Sequence, residues 1–280
     1  YTACAHASCT HTLLHLSFCV FIITMLSLLS KKINWNIAPE YQQTVLAQIF
    51  SCFDAAYDYP GELVGKSPLS QMYKTRIECA VYYIKKYNIS KKLLQRYFGQ
   101  SKVYTEWENL FWFDSLGIPV PKIIAYGAEK QGWVTHRGII IMQELKNTHD
   151  LGYIADHYPQ LMHNPQWINQ VSHQLAAVTR LLHQHRFAHN DLKWRNILVD
   201  TKAETPQIYL IDCPSGGKWV KPFLDYRIIK DLACLDKRGK YELSKKQRLA
   251  FYKDYAQCGK LTPKHKQQIR KILKFFHNRE

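Results

Sequence analysis

The stretch FAHNDLKWRNILVD, Phe187 to Asp200, decides the fold of this chain, together with YLIDC, Tyr209 to Cys213, a few residues downstream. It places Asp191, Lys193 and Asn196 on one short loop that closes into a β-type run, Ile197-Leu198-Val199. A second apolar run, Ile208 to Ile211, delivers another carboxylate, Asp212. Paired as a hairpin, the two runs present both aspartates and the asparagine at one mouth. Phosphoryl transfer with magnesium requires that set. One carboxylate orients the attacking hydroxyl, and a carboxylate with an amide oxygen holds the metal, so Asp191 is the candidate catalytic base and Asn196 and Asp212 the candidate Mg²⁺ ligands.

Composition narrows the classes. At 280 residues the chain suits one domain of two lobes or two small domains. A hydrophobic content of 46% with 21% charged residues is globular, which excludes wholesale disorder. The net charge of +16 implies an anionic partner: nucleic acid, an acidic membrane or a phosphorylated glycolipid. The eight cysteines contain no C-x-x-C pair, which argues against a zinc site or a disulfide scaffold and for a reducing compartment. The thirteen histidines, His183 and His185 included, read as helix-end and surface residues.

Outward from the motif, the chain reads as follows. Leu13 to Leu29 is a seventeen-residue apolar run, short of the ~20 residues a membrane-spanning helix needs. Either Met25 is the true start, or residues 1–32 carry a membrane anchor whose Lys31 and Lys32 keep the remainder on the cytoplasmic side. A helix is expected over Pro39 to Phe53. Glu62–Val64, Met72–Ile77 and Cys79–Tyr87 read as strands, with Gly65 to Pro68 in the first turn. Ser101 to Leu116 reads as a helix whose Glu106 is flanked by an apolar stripe while Glu108 faces water. GIIIMQEL, Gly138 to Leu145, is a buried strand, and Asn164-Pro165 opens a helix with Ile168, Val171, Leu175, Val178 and Leu182 at core spacing. Ile228 to Leu235 is expected as a short buried helix from which Asp231 braces the catalytic loop. Thr262-Pro263 starts a last helix, either docked on the larger lobe or lying on a membrane surface.

The H-x-D-x-K-x-x-N pattern followed by an apolar-flanked aspartate resembles the catalytic loop and metal-binding turn of the protein-kinase-like fold. That resemblance implies an α+β, bilobal architecture: a small antiparallel β lobe with one helix at 33–143, covering the nucleotide, and a larger, mainly helical lobe at 144–280 that carries catalysis and the acceptor. It puts Lys85 where the strand lysine neutralises the α- and β-phosphates of ATP, set by Glu106, and an adenine-binding hinge at Gln143, Glu144 and Leu145. Lys193 would sit near the transferred phosphate. No G-x-G-x-x-G is present, so the turn at Gly65–Pro68 is assigned to the phosphates by position alone.

Five motifs together, VYYIKKY, TEWENLFWFDSLGIPVP, FAHNDLKWRNILVD, YLIDCPSGG and IIKDLACLD, resemble the lipopolysaccharide core kinases, the InaA-type heptose/Kdo kinases, over roughly residues 60 to 260. The resemblance implies ATP-dependent, Mg²⁺-assisted phosphorylation of a heptose or Kdo hydroxyl of an anionic glycolipid. It implies work at the cytoplasmic face of an inner membrane, as a peripheral protein, with no nucleic-acid partner. Other readings share parts of the pattern: a kinase of another small molecule or of a protein, a non-catalytic pseudokinase that binds membranes or anions, and a basic RNA-binding protein. Two departures matter. Asn190 stands where many protein kinases carry an arginine that reads an activation-loop phosphate, and Cys213-Pro214 replaces Phe-Gly after the metal aspartate, which stiffens the turn.

Overall fold

Alternating β-branched and aromatic residues with a tight turn between them dictate the first hairpins. A computed structural model of the chain describes residues 30–88, 101–132 and 134–277. The expected apolar run Leu13 to Leu29 lies outside the described residues, and among those described no helix is long and apolar enough to cross a membrane. By their contacts the described residues form two units: the chain up to Ser101 with Ile123–Met142, and Lys102–Lys122 with the chain from Gln143 onward.

The first unit is built on a six-stranded sheet. Its strands are β1 (Lys31–Ile37), β2 (Glu62–Lys66), β3 (Ser70–Ile77), β4 (Ala80–Asn88), β5 (Ile123–Gln131) and β6 (Val134–Gln143), in the order β1-β5-β6-β4-β3-β2. β2, β3 and β4 are the three strands expected from sequence, β2 and β3 a little longer and β4 displaced by one residue. β1, not anticipated, pairs antiparallel with β5, and it runs so close that a Cβ at Gly127 would meet the Asn34 carbonyl at 2.3 Å. The helix expected over Pro39 to Phe53 is instead broken into a 3₁₀ turn at Pro39–Tyr41, α1 (Val45–Ile49) and α2 (Phe53–Asp58). The break has a local cause. Thr44 Oγ1 accepts from Leu46 N and Cys52 Sγ from Ala55 N, so each short helix is capped afresh by a side chain that competes with helix continuation.

Leu46, Phe50 and Phe53 from these helices join Ile84, Ile124, Ile139 and Ile141 in the core of the unit. Trp35 Nε1 donates to Phe50 O at 2.9 Å. Arg137 of β6 bonds Glu129 and, at 2.6 Å, Asp54, while its guanidinium lies 4.8 Å over the Tyr57 ring. These contacts fasten α2 to the sheet.

The second unit is mostly helical: α3 (Lys102–Ser115), α4 (Leu151–His157), α5 (Pro159–Met162), α6 (Pro165–Gln184), α7 (Phe223–Glu242), α8 (Lys245–Ala256) and α9 (Pro263–Lys274). α6 begins as its sequence dictates, with Asn164 Oδ1 accepting from Gln166 N and Trp167 N and proline at the first turn. The short helix expected at Ile228 to Leu235 extends over all of α7. α9 is docked: Ile272 is buried with Leu232, Ala233 and Tyr252 of α7 and α8. Among the described residues, five short strands complete the second unit. β7 (Thr148–Asp150), β9 (Ile197–Asp200) and β10 (Ile208–Leu210) form an antiparallel sheet in the order β10-β9-β7, and β8 (Phe187–Ala188) pairs with β11 (Gly217–Lys218).

Candidate active site

The expected hairpin is formed. β9 and β10 pair antiparallel, Ile208 opposite Val199 and Leu210 opposite Ile197. The ladder continues one step past β10, because Ile211 N donates to Asn196 O at 3.1 Å. That bond sets Asp212, the next residue, beside the loop that carries Asp191 and Asn196. Asp212 has φ +60, a left-handed conformation rare for a side-chain-bearing residue and concentrated at functional turns.

Within the loop, Lys193 Nζ donates to Asp191 Oδ2 at 2.7 Å, and both side chains are partly exposed, at 37% and 40%. Asn196 is buried, and its Nδ2 donates to Asp191 O at 2.8 Å and to Asp191 Oδ2 at 3.2 Å. With the donor end of the amide turned to Asp191, the acceptor Oδ1 is the end that remains for a cation. A carboxylate from Asp212 with an amide oxygen from Asn196 is a hard-oxygen donor set of the kind Mg²⁺ takes.

The loop is braced from behind. Asp231 of α7, fully buried, accepts from His189 N at 2.7 Å and from Asn190 N at 2.8 Å, as expected for a residue holding the loop's backbone. The brace extends further than the sequence suggests: His183 Nε2 lies 3.4 Å from Asp231 Oδ2, and its Nδ1 lies 2.8 Å from the Tyr255 hydroxyl. His183 is therefore a buried member of this network, not a surface histidine. Its place near the end of α6 suggested exposure, yet α8 packs over that end.

His189 is fully buried, stacks on Phe113 at 6.1 Å, and has no hydrogen-bond partner for either ring nitrogen among the described residues. Burial holds its pKa below the usual imidazole value, against the opposing pull of Asp231, Asp191 and Asp212.

Two asparagines clasp the turn after Asp212. Asn109 of α3 donates through Nδ2 to Cys213 O at 2.8 Å and to Gly216 O at 3.2 Å. Asn190 donates to Ser215 O at 2.7 Å, and its Oδ1 accepts from Arg227 Nη1 at 3.0 Å. Asn190 sits at φ +65, a conformation that asparagine tolerates better than most residues. Gly216 is required by space, since a Cβ there would lie 2.4 Å from Cys213 Sγ and 2.6 Å from Phe187 Cζ. Cys213 is buried, and burial with the nearby Asp231 charge pushes its thiol well above the ordinary pKa, so it packs rather than reacts. Asn109 and Arg227 carry no sequence signal of their own; their partners lie 104 and 37 residues away.

The remaining candidates fall as follows. Glu106 is buried in α3 of the second unit, at 1% exposure, while Glu108 is exposed as expected. Lys85 is buried in β4 of the first unit, its Nζ 5.4 Å over the Tyr87 ring. Lys86, on the opposite face, donates to Tyr59 O at 3.0 Å. At Gln143 to Leu145, Gln143 N donates to Lys122 O at 3.0 Å and Leu145 O accepts from Thr148 Oγ1 at 2.8 Å. The β2–β3 turn is closed by Ser67, whose Oγ accepts from Ser70 N at 3.0 Å.

The family model described as "Lipopolysaccharide kinase (Kdo/WaaP) family" matches residues 66–255. The chain belongs to that family. Two curated relatives are similar over a shorter stretch. The 3-deoxy-D-manno-octulosonic acid kinase of Mannheimia succiniciproducens is 26% identical over 119 residues, 42% of this chain and 47% of the relative. The enzyme of the same name from Actinobacillus succinogenes is 26% identical over 118 residues, 42% of this chain and 46% of the relative. The chain thus matches about half the length of these relatives. Among solved structures, "WaaP in complex with acyl carrier protein" superposes with a TM-score of 0.67 at 15% identity, covering 87% of this chain and 96% of that one. The α+β, protein-kinase-like architecture expected of the lipopolysaccharide kinase family is thereby the fold of this chain.

Proposed function

We propose that this chain transfers the γ-phosphoryl group of ATP to a sugar hydroxyl, heptose or Kdo, of the lipopolysaccharide core. The observation that carries the reading is the loop from Asp191 to Asn196 set beside Asp212 by the Ile211–Asn196 backbone bond, in a chain of this family. The names of the two curated relatives favour 3-deoxy-D-manno-octulosonic acid as the acceptor sugar.

Each residue then has a task. Asp191 accepts the hydrogen bond of the acceptor hydroxyl and takes its proton late. Lys193, already 2.7 Å from Asp191 Oδ2, meets negative charge on the group in transfer. Asn196 and Asp212 would hold Mg²⁺, which when bound neutralises the nucleotide phosphates. Lys85, set by Glu106, would neutralise the α- and β-phosphates, and Gln143, Glu144 and Leu145 would receive the adenine. Little covalent work falls to the protein, so rate comes from placement and charge neutralisation.

The acceptor is an anionic glycolipid, which accords with the +16 charge. It puts the enzyme at the cytoplasmic face of the inner membrane, bound peripherally. The test is incubation of the protein with γ-labelled ATP, Mg²⁺ and defined core glycolipids, followed by mapping of the label. Phosphate on a core sugar hydroxyl is expected. Label found only in inorganic phosphate, or none, refutes the assignment.

A further inference from the structure

The segment between the metal turn and the first turns of α7 leaves large apolar side chains in water. Val220, Phe223 and Tyr226 are 67%, 62% and 48% exposed, although Leu224 between them is buried in the unit. Phe223 and Tyr226 stand one helical turn apart on the same face of α7, with Val220 just before it. A single exposed apolar residue is ordinary, but three within seven positions, two of them on one helix face, mark a surface suited to being covered.

Half-buried aromatic rings and cations flank the run on both sides, Phe275 and Phe276 resting on the core of α7 to α9. Tyr226 lies 5.4 Å from Phe275, which lies 5.0 Å from Phe276, and Lys237 Nζ sits 5.1 Å over the Phe276 ring. On the other flank the Arg227 guanidinium lies 4.3 Å over Trp219, and Lys218 Nζ 5.4 Å over Trp112. Lys218 to Lys230 contains four cations, Lys218, Lys221, Arg227 and Lys230, against one carboxylate, Asp225. The strip is anchored to the catalytic loop. Lys218 pairs with Phe187 in the β8–β11 ladder, Trp219 N donates to Arg186 O at 2.8 Å, and α7 itself carries Asp231.

We propose that Lys218 to Tyr226, with Phe275 and Phe276 beside it, is a docking surface for an anionic bilayer. Rings that sit at headgroup depth, interleaved with lysines that meet anionic lipid, are the chemistry of an interfacial site. The proposal rests on the acceptor being lipid-borne. It adds to that reading how the catalytic loop is brought over such an acceptor: the covering surface begins directly beyond the β8–β11 ladder that flanks the loop.

Hydrogen–deuterium exchange on the full chain tests it, with vesicles of phosphatidylcholine alone or with about one third phosphatidylglycerol. Amides of residues 218–227 should slow with the anionic vesicles and not with the neutral ones. The triple variant Val220→Ser, Phe223→Ser, Tyr226→Ser should lower the vesicle-bound fraction roughly tenfold or more, and Lys218→Gln with Lys221→Gln by a similar factor. Both should keep the far-UV circular dichroism spectrum and the Tm of the parent. Both should still phosphorylate delipidated core oligosaccharide while losing rate on the vesicle-embedded glycolipid. Binding that leaves residues 218–227 exchanging as before, or is untouched by either variant, overturns the proposal. So does protection that grows with protein concentration without lipid, which identifies a second copy as the occupant. If anionic vesicles protect the segment but no core sugar is phosphorylated, docking stands and the functional reading falls.

Discussion

At the scale of single residues, the site makes its own demands. On the proposed roles, Asp191→Asn takes away the acceptor of the hydroxyl proton and Asp212→Asn takes away a charged ligand for Mg²⁺. Each is expected to lower kcat by roughly a hundredfold to ten-thousandfold with Tm nearly unchanged, measured by steady-state phosphate transfer and thermal melts. Asn190→Gly keeps the backbone free to hold φ +65 but deletes the bonds to Ser215 and Arg227. On the proposed role of Asp212 in holding Mg²⁺, a turn that wanders should weaken use of the metal before anything else. The expected result is a rise of about tenfold in the Mg²⁺ concentration giving half-maximal rate, with a smaller change in kcat. His189 supplies a pH test. Its folded pKa lies below that of the unfolded chain, about 6.5, so the unfolded chain binds the proton preferentially. Stability from this group is complete above that value and declines as pH falls through it. His189→Phe replaces a buried ring whose nitrogens have no hydrogen-bond partner among the described residues with an apolar one. In urea melts from about pH 8 to about pH 5, the variant should lose less stability than the parent as acid is added. That Asp191, Asn196 and Asp212 come together was legible because fixed spacing between two strand-like runs folds them into one hairpin. Asn109 and His183 were not, since what they do is decided by residues more than 70 positions away.

At the scale of elements, α7 is the part on which the loop depends. Asp231→Ala would leave two buried backbone N–H groups, of His189 and Asn190, without their acceptor. A loss of roughly 2–5 kcal/mol in denaturant melts is expected, larger than for any exposed carboxylate of the same helix. The elements themselves divide by how much local chemistry defines them. β2 to β4 alternate and turn where their sequences say, and α6 starts at Asn164-Pro165 because cap and proline agree. β1 was hidden because KKINWNI, among the described residues, is an edge strand with one neighbour, β5, and mostly exposed residues, so no buried face imposes a clear alternation. The expected helix over Pro39 to Phe53 failed for the opposite reason: its apolar spacing is real, and Leu46, Phe50 and Phe53 are all buried, but Thr44 and Cys52 restart the backbone twice.

At the scale of the whole molecule, charge is the dominant property. With 38 lysines and arginines against 22 acids, association with anionic vesicles should weaken steeply with ionic strength. Between roughly 0.1 M and 1 M salt the Debye length contracts from about 10 to about 3 Å, and flotation assays across that range should record most of the bound protein released. The serine variants at Val220, Phe223 and Tyr226 should start from a lower bound fraction and keep the same salt slope, because they remove no charge. Chain path adds one more property. The polypeptide passes from the first unit to the second after Ser101, back after Lys122, and over again after Met142. A fragment cut to begin at Gln143 would retain every catalytic-loop residue, yet it would forfeit α3 and with it the Asn109 amide that holds Cys213 and Gly216. No single scission can separate this protein into two self-sufficient halves, so its folding must wait for a segment synthesised early to be rejoined by one synthesised late.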